Sequence, residues 1–547
     1  MASGILGIAL TGLNAAQAGI RTTEHNIANV NTAGYRRQEV GYGALLPSYT
    51  GSGYFGNGVG VETVRSYYSQ FLENEVLVSQ TRLSYFEAFS EGASLVDKVL
   101  GDSGSGMANA IDSFFSAVNE LASEPTSNAA RQVLVSAGNN LAGRFNALDG
   151  QLRATIASAN KDIASLVSQA NLYASQVVRL NSDIARAESA NTTQTANDLR
   201  DQRQQLVNQL NKLMNLSAVQ QSDGSLNLFI GSGQPLVVGN VVNTLSTAAD
   251  PDDPSLLQPT LVVGGTSIAL DSELVTGGRL GGLLGLREEI VLPALQDLNR
   301  LALALGSEVN RVHATGSYYD AVTDTMVVGG LFFSNPVVAQ GATDGQFTMT
   351  LVDDTKLDPT GYDIALGAGG SYTVKALSTG TSTVFPSLAA LNAGNLGFTL
   401  TEGTPVPANG DSWRIGDYAR SMVMTLTQPS RVAAASAGAD GPGDNSNARA
   451  LADLRFASVL DAGTTSFSTA YSQTIGRTAS RVAEADLSLS AYTSLTASAE
   501  AASRGVSGVN MDEEAANLIR FQQSYQAAAK AIQVASVLFD EILGLIR

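Results

Sequence analysis

Apolar positions recur at alternating steps of three and four residues at both ends of the chain, a pattern that predicts two long amphipathic helices. At the amino end the run is Leu6, Ala9, Leu13, Ala16, Ile20, Thr23, Ile27 and Val30. This is a heptad seam suited to packing along a partner helix. It stops at Asn31-Thr32-Ala33-Gly34, where turn-forming residues take over. At the carboxyl end Leu518, Phe521, Tyr525, Ala528, Ile532, Ala535, Phe539, Ile542 and Ile546 keep the same spacing. Asn510 is placed to cap that helix with Glu513 as its reciprocal partner, and Asp512, Glu513 and Glu514 put negative charge at the positive end of the helix dipole. At 1.5 Å per residue such a helix spans roughly 55 Å, long for a helix inside one domain.

Between the ends the period changes twice. Residues 35–68 are rich in glycine and tyrosine and predict extended chain with short strands. Helical spacing then covers roughly 70–100, 108–121, 127–190 and 197–216. Asp223-Gly224 followed by the alternation Ser225-Leu226-Asn227-Leu228 predicts a hairpin. A further helix is expected over 283–314, with Gly277-Gly278 and Gly281-Gly282 preceding it. Residues 327–429 alternate with period two, and helical character returns after Gly441-Pro442-Gly443-Asp444.

The expected fold is therefore mainly α with an inserted β domain, in an elongated multidomain chain. Its expected parts are a terminal coiled-coil assembly domain (1–65 and 505–547), a long-helix bundle with small β-hairpin elements (66–326 and 430–504) and a β-rich outer domain (327–429). Helices that bury only one narrow stripe gain little against the entropy of ordering them. Both ends are thus expected to order by packing on each other and on neighbouring copies.

Composition sharpens this picture mainly by exclusion. The 547 residues contain no cysteine, which removes disulfides, thiolate metal ligands and thiol nucleophiles. Only two histidines occur, His25 and His313, each read as solvated or capping, and a net charge of −18 argues against binding nucleic acid. Residues 1–20 carry no charged side chain, and Ala16-Gln17-Ala18 imitates a signal-peptidase site. No Lys or Arg precedes the apolar part, and Asn14 and Gln17 interrupt it, so it is read as an uncleaved amphipathic helix and not as a membrane span.

The candidate chemical motifs are weak. Gly51-Ser52-Gly53-Tyr54-Phe55-Gly56 fits G-x-G-x-x-G, but Gly58 and Gly60 follow where a helix would have to start, so it reads as a flexible loop. Asp250, Asp252 and Asp253 lack the donor spacing of a calcium loop and read as a solvated acidic turn, as does Asp353-Asp354. Trp413 reads as a β-domain core residue. No acid, base and nucleophile set can be nominated, so no enzyme, no cofactor and no metal is expected.

Gly12-Leu13-Asn14-Ala15-Ala16-Gln17, followed by the segment that holds Asn26, Asn29, Asn31, Gly34 and Tyr35 and runs to Arg36-Arg37-Gln38, resembles the amino-terminal signature of bacterial flagellar rod, hook and hook-associated proteins. Ser507-Gly508-Val509-Asn510-Met511-Asp512-Glu513-Glu514, leading into Gln522-Gln523-Ser524-Tyr525-Gln526-Ala527, resembles the carboxyl-terminal signature of the hook-associated family that joins hook to filament. Segments 197–203, 231–236, 281–284 and 443–448 are similar to the same pattern. One departure is His25, where the family usually has Asn.

The resemblance implies a structural axial protein of the flagellum, exported through the flagellar type III channel without a cleaved signal peptide. It further implies an extracellular place at the hook–filament junction. The implied partners are other copies of itself in a ring or helical layer, the hook protein, the next hook-associated protein, and an export chaperone on the carboxyl-terminal helix. A hook or distal-rod protein is the alternative within this class; a secreted adhesin or surface antigen is the alternative outside it.

Overall fold

The computed structural model describes residues 2–545 apart from 50–52, 103–105, 190–194, 252, 342–343 and 359. Helix α1 (Ala2–Ala28) leads into a long hairpin made by β1 (Gln38–Ala44) and β4 (Val59–Ser66), whose tip carries β2 (Ser48–Tyr49) and β3 (Tyr54–Phe55). Four helices follow: α2 (Gln70–Leu100), α3 (Met107–Ser123), α4 (Asn128–Ser189) and α5 (Asn197–Leu213). Ser69 starts α2 by accepting a hydrogen bond from the Leu72 amide. With 62 residues, α4 runs on the order of 90 Å and sets the elongated shape. One face of it is buried throughout, including Leu134, Leu141, Phe145, Leu152, Ile163, Val167, Val177 and Ile184.

Two small sheets pack on the distal half of α4. One has the order β5 (Leu216–Gln220), β6 (Leu226–Ile230), β7 (Gln234–Val238), β8 (Val241–Val242). The other is formed by β9 (Thr244–Ala249), β10 (Leu257–Val263) and β11 (Thr266–Ala269). The Asp223-Gly224 turn joins β5 to β6, with Gly224 at φ 82°. Leu216, expected at a helix end, instead opens β5, because α5 stops at Leu213 and the chain turns extended at Met214.

The next helix starts earlier than its glycines suggested. It comprises α6 (Gly278–Leu286), a π-helical turn at Arg287–Val291 and α7 (Leu292–Thr315). Gly281 and Gly282 lie inside α6, not before it. The reason is close approach: a Cβ at Gly282 would lie 2.3 Å from the Tyr85 carbonyl oxygen, and one at Gly285 would lie 2.4 Å from the Tyr85 hydroxyl. Absence of side chains lets α6 lie directly on α2, which outweighs the poor helix propensity of glycine.

Beyond α7 come β12 (Gly316–Asp320), β13 (Thr325–Val328), β14 (Val337–Ala339), β15 (Phe347–Leu351), β16 (Tyr362–Leu366), β17 (Tyr372–Ala376), β18 (Ser382–Phe385), α8 (Leu388–Asn392), β19 (Phe398–Glu402) and β20 (Ser412–Ile415). The largest sheet has the order β14-β20-β16-β17-β18. Trp413 is buried between it and Phe347, with its indole N–H donating to the Gly345 carbonyl at 2.7 Å. The chain returns through α9 (Tyr418–Ser421), β21 (Ala435–Ser436) and α10 (Ser446–Asp453), then runs out along α11 (Phe467–Ser507) and α12 (Met511–Leu545). The fold is mainly helical, with paired terminal helices and separate β-rich regions.

The apolar core is continuous from the bundle into the β region. Phe114, Phe115, Phe332 and Phe333 form its aromatic centre. His313 belongs here too and is not solvated: burial lowers its pKa, Nδ1 donates to the Gly330 carbonyl and Nε2 accepts from the Ala433 amide. Asp354 likewise departs from the expected solvated turn, being buried and accepting from the amides of Asp461 and Ala462. Asp353, the other half of that pair, caps a short helical turn through Thr355. Asp252, Gly51 and Ser52 lie outside the described residues.

Candidate assembly interface

Helices α1 and α12 pack antiparallel, and the contacts between them fall on positions seven residues apart. Gly12 faces Ala528, Gly19 faces Phe521 and Asn26 faces Glu514. A Cβ on Gly19 would lie 2.7 Å from the Phe521 ring, so glycine makes the hole that receives this knob. Ala9, Ala15, Ala16, Gly19, Thr23, Asn26, Glu514 and Ala535 are the buried residues of the pair among the described ones. The innermost line is therefore small or polar.

The large residues expected on the seam lie elsewhere on these helices. Leu13, Ile20, Ile27, Leu518, Phe521 and Ile532 are half-buried, whereas Leu6, Tyr525 and Phe539 are exposed. The side chain of Ile542 lies outside the described residues. Ile5, Ile8, Leu10, Ile519, Val534, Val537 and Leu538 add further exposed apolar surface to the same two helices.

At the base of the pair sits a polar node centred on Asn26. Its amide nitrogen donates to the Gln38 carbonyl at 2.9 Å and to Glu514 Oε2 at 3.1 Å, while its oxygen accepts from the Gln38 amide at 3.0 Å and the Tyr35 hydroxyl at 2.8 Å. Tyr35 also meets His25 Nδ1 at 3.0 Å, and burial, reinforced by Asp198, Asp201 and Glu514, holds its phenol well above the usual range. Arg37 closes the node from the hairpin side. Its Nε donates to Glu514 Oε1 at 2.7 Å, its other guanidinium arm lies 3.2 Å from Glu513, and its backbone amide bonds the Ser507 carbonyl. Burial works to lower the Arg37 pKa, but Glu514, Glu513 and Tyr67 together more than offset it and leave it raised.

The carboxyl-terminal cap differs in one respect from its expectation. Asn510 Oδ1 accepts from the amides of Asp512 at 3.0 Å and Glu513 at 3.5 Å. Glu513 does not serve as the reciprocal partner; its carboxylate is directed to Arg37. Asp512 is exposed in the first turn and Val509 is half-buried. At the other end Asn29 donates to the His25 carbonyl and accepts from Thr32, while Asn31 is exposed. Gly34 has φ 78°, a left-handed conformation that permits the sharp turn into Tyr35.

The segment 197–203 ties the node to the body. Asn197 donates to the Val64 carbonyl, Asp198 accepts from Gln38 Nε2 at 2.8 Å and lies 3.6 Å from His25, and Asp201 accepts from the Arg36 amide at 3.1 Å. Arg36 also pairs with Glu73 at the start of α2. Burial pushes Asp201 up to about 6, against the opposing pull of Arg36, and raises Glu73 for the same reason. Arg203 reaches Asn181 on α4 and the Gly224 carbonyl, both at 2.8 Å. Three segments remote in sequence, 26–38, 197–203 and 507–514, thus meet in one network. Periodicity missed Arg36, Arg37, Glu73, Asp198 and Asp201 as parts of it, and Gly19 as the hole for Phe521. The available signal was the adjacent pair Arg36-Arg37 in a cation-poor chain, set against the acidic run at 512–514.

Comparison with known proteins fits this architecture. Residues 93–333 match the family described as the flagellar hook-associated protein FlgK helical domain, and residues 506–545 match the flagellar basal body rod FlgEFG protein C-terminal family. The flagellar hook-associated protein 1 of Escherichia coli K12 is 32% identical over 99% of this chain and 100% of its own length. That of Salmonella typhimurium is also 32% identical, over 99% and 100%, and that of Bacillus subtilis is 24% identical over 100% and 99%. The flagellar hook junction protein FlgK from Burkholderia pseudomallei has the same fold, with a TM-score of 0.63 and 23% identity over 79% of this chain and 100% of that one. On its full-length identity to these relatives, the chain belongs to the flagellar hook-associated protein 1 family.

Proposed function

We propose that this chain is a structural axial protein that joins hook to filament as a self-assembling layer. The observation that carries the reading is the pairing of α1 with α12 over the polar node, with the large apolar residues of both helices left exposed or only half-buried. Such surface costs free energy in water and is removed by association. In this reading Leu6, Leu13, Ile20, Ile27, Leu518, Phe521, Tyr525, Ile532, Phe539 and Ile542 form the assembly seam, completed by other copies. Residues 1–65 and 505–547 act as the assembly domain, 66–326 and 430–504 as the supporting bundle, and 327–429 as the outward-facing part.

The partners of this reading are hook protein on one side and the next hook-associated protein on the other. The exposed α12 also suits it as the element an export chaperone covers before secretion. Export then proceeds without cleavage at Ala16-Gln17-Ala18; Ala16 lies buried against the partner helix, and losing residues 1–18 would remove most of α1. No helix among the described residues is long and apolar enough to cross a membrane.

Leu13→Asp or Ile532→Asp tests the reading by putting a charge into a helix contact that has to be dry. Each variant should retain a folded body by circular dichroism yet be missing from isolated hooks. Normal filaments on cells carrying either variant would contradict it. Mass spectrometry of the protein recovered from flagella should find residues 3–18 intact, whereas a new amino terminus at residue 19 would favour a conventionally secreted surface protein.

A further inference from the structure

The tip of the long hairpin is the most exposed apolar feature among the described residues near the terminal helices. Leu46 is 87% exposed, Tyr54 76%, Tyr49 67% and Phe55 57%. Tyr49 and Tyr54 pack at a tilt across β2 and β3 with ring centroids 5.3 Å apart, so the two rings present one aromatic edge. No charged residue occurs from Gly41 to Val61. An aromatic blade of this kind, free of charge and uncovered, is the composition of an interface anchor.

The hairpin root already packs on the terminal helices of its own chain. Tyr42 lies 6.4 Å from the Phe521 ring and its hydroxyl donates to the Ala15 carbonyl, while the Val59 amide donates to Thr11. Gly58 lies against Thr11 and the Ile8 backbone at φ 100°, where an added Cβ would strike the Thr11 hydroxyl. The hairpin therefore occupies the side of α1 marked by Thr11 and Ala15. At about 100° per residue, Leu6, Leu10 and Leu13 fall within about 60° of one another and roughly 150° round the helix from that side. Leu6 and Leu10 are exposed and Leu13 is half-buried.

One chain thus carries two uncharged apolar surfaces on opposite flanks of one helix pair and cannot bring them together. Two copies can. We infer that the hairpin tip of one copy, through Leu46, Tyr49, Tyr54 and Phe55, docks on the Leu6-Leu10-Leu13 face of the next copy. This contact joins two different surfaces of identical chains, so it propagates round a ring or along a helix and does not stop at a dimer. The inference rests on the proposed self-assembling role and adds to it the element that reaches the neighbour.

The absence of cysteine makes the test direct. Full-length chains carrying Tyr54→Cys, Leu10→Cys or both are expressed in cells lacking the native copy, and isolated flagella are oxidised. Both positions are exposed, so folding is preserved. The double variant should give a ladder of crosslinked copies, and each single variant should give none. Replacing Tyr49, Tyr54 and Phe55 together by serine should reduce incorporation by about tenfold or more, the equivalent of about 1.4 kcal/mol. No ladder from a double variant that is incorporated normally overturns the inference but leaves the axial role standing. A crosslinked dimer from Tyr54→Cys alone, or a crosslink to a chain of different mass, also overturns it. If the unsubstituted chain is missing from isolated flagella, the axial role itself fails.

Discussion

The body of the molecule and its terminal helix pair solve the problem of burial in opposite ways. In the body, Phe114, Phe115, Phe332, Phe333 and Trp413 are almost wholly enclosed, and polar groups such as His313 and Asp354 are satisfied by backbone within the same chain. In the terminal pair the enclosed line is glycine, alanine, Asn26 and Glu514, while leucines, isoleucines and Phe539 face outward. A body of the first kind is complete as a single chain. A pair of the second kind is held in register by hydrogen bonds at its base and gains most of its apolar burial only when something else arrives.

This contrast can be broken from either side. The largest expected effect is in the body: Phe332→Ala removes a ring that contacts Phe114, Phe333 and His313 and should cost about 3–5 kcal/mol in urea unfolding. Glu514→Ala comes next. It strips Asn26 and Arg37 of their shared partner and should loosen α1 and α12 by about 2–3 kcal/mol, seen as faster amide exchange in both helices. The urea midpoint of the body should stay unchanged. Equal loss in both regions would mean that the two are not independent.

Smaller effects sharpen the same division. Gly19→Ala should weaken the pair by about 1–2 kcal/mol, because the clash with Phe521 outweighs the better helix propensity of alanine. The smallest effect concerns Asp201. Its folded pKa of about 6 lies above the ordinary aspartate value of 3.8, so the folded state holds that proton more tightly. The resulting stabilisation is present below about pH 3.8 and is lost as pH rises through about 6. Urea midpoints of the wild type and of Asp201→Asn, compared from pH 4 to 7, should therefore diverge in slope across that window, with the wild type losing stability relative to the variant as pH rises.

Much of the helical framework was legible because long periodic runs leave little choice of element. The face of α4 and the two terminal heptads could be read from spacing alone. The seven strands over 216–269 were announced by only one clear signal, Asp223-Gly224, because short strands on a helix need no strict alternation. The start of α6 was misread because glycine carries no record of what it packs against; only the nearness of Tyr85 explains Gly281, Gly282 and Gly285. At the candidate interface, spacing identified the two helices that pair, but on α12 Phe521 and Ala528 face α1 and Ala535 is buried, while Tyr525 and Phe539 are exposed. Spacing could not rank large against small positions on α1, since both follow the same period and Phe521 of α12 decides which is inside. The polar node was hidden for another reason: Asn26, Arg37, Asp201 and Glu514 are joined only by the fold.

Amide hydrogen exchange on the isolated chain and on the same chain in assembled flagella tests the central claim most directly. Helices α3, α4 and α7 should be protected in both states, while α1 and α12 should exchange faster than these in the monomer and become protected on assembly. Terminal helices as protected in the monomer as α4 would instead show that the pair is already complete on its own and does not depend on assembly.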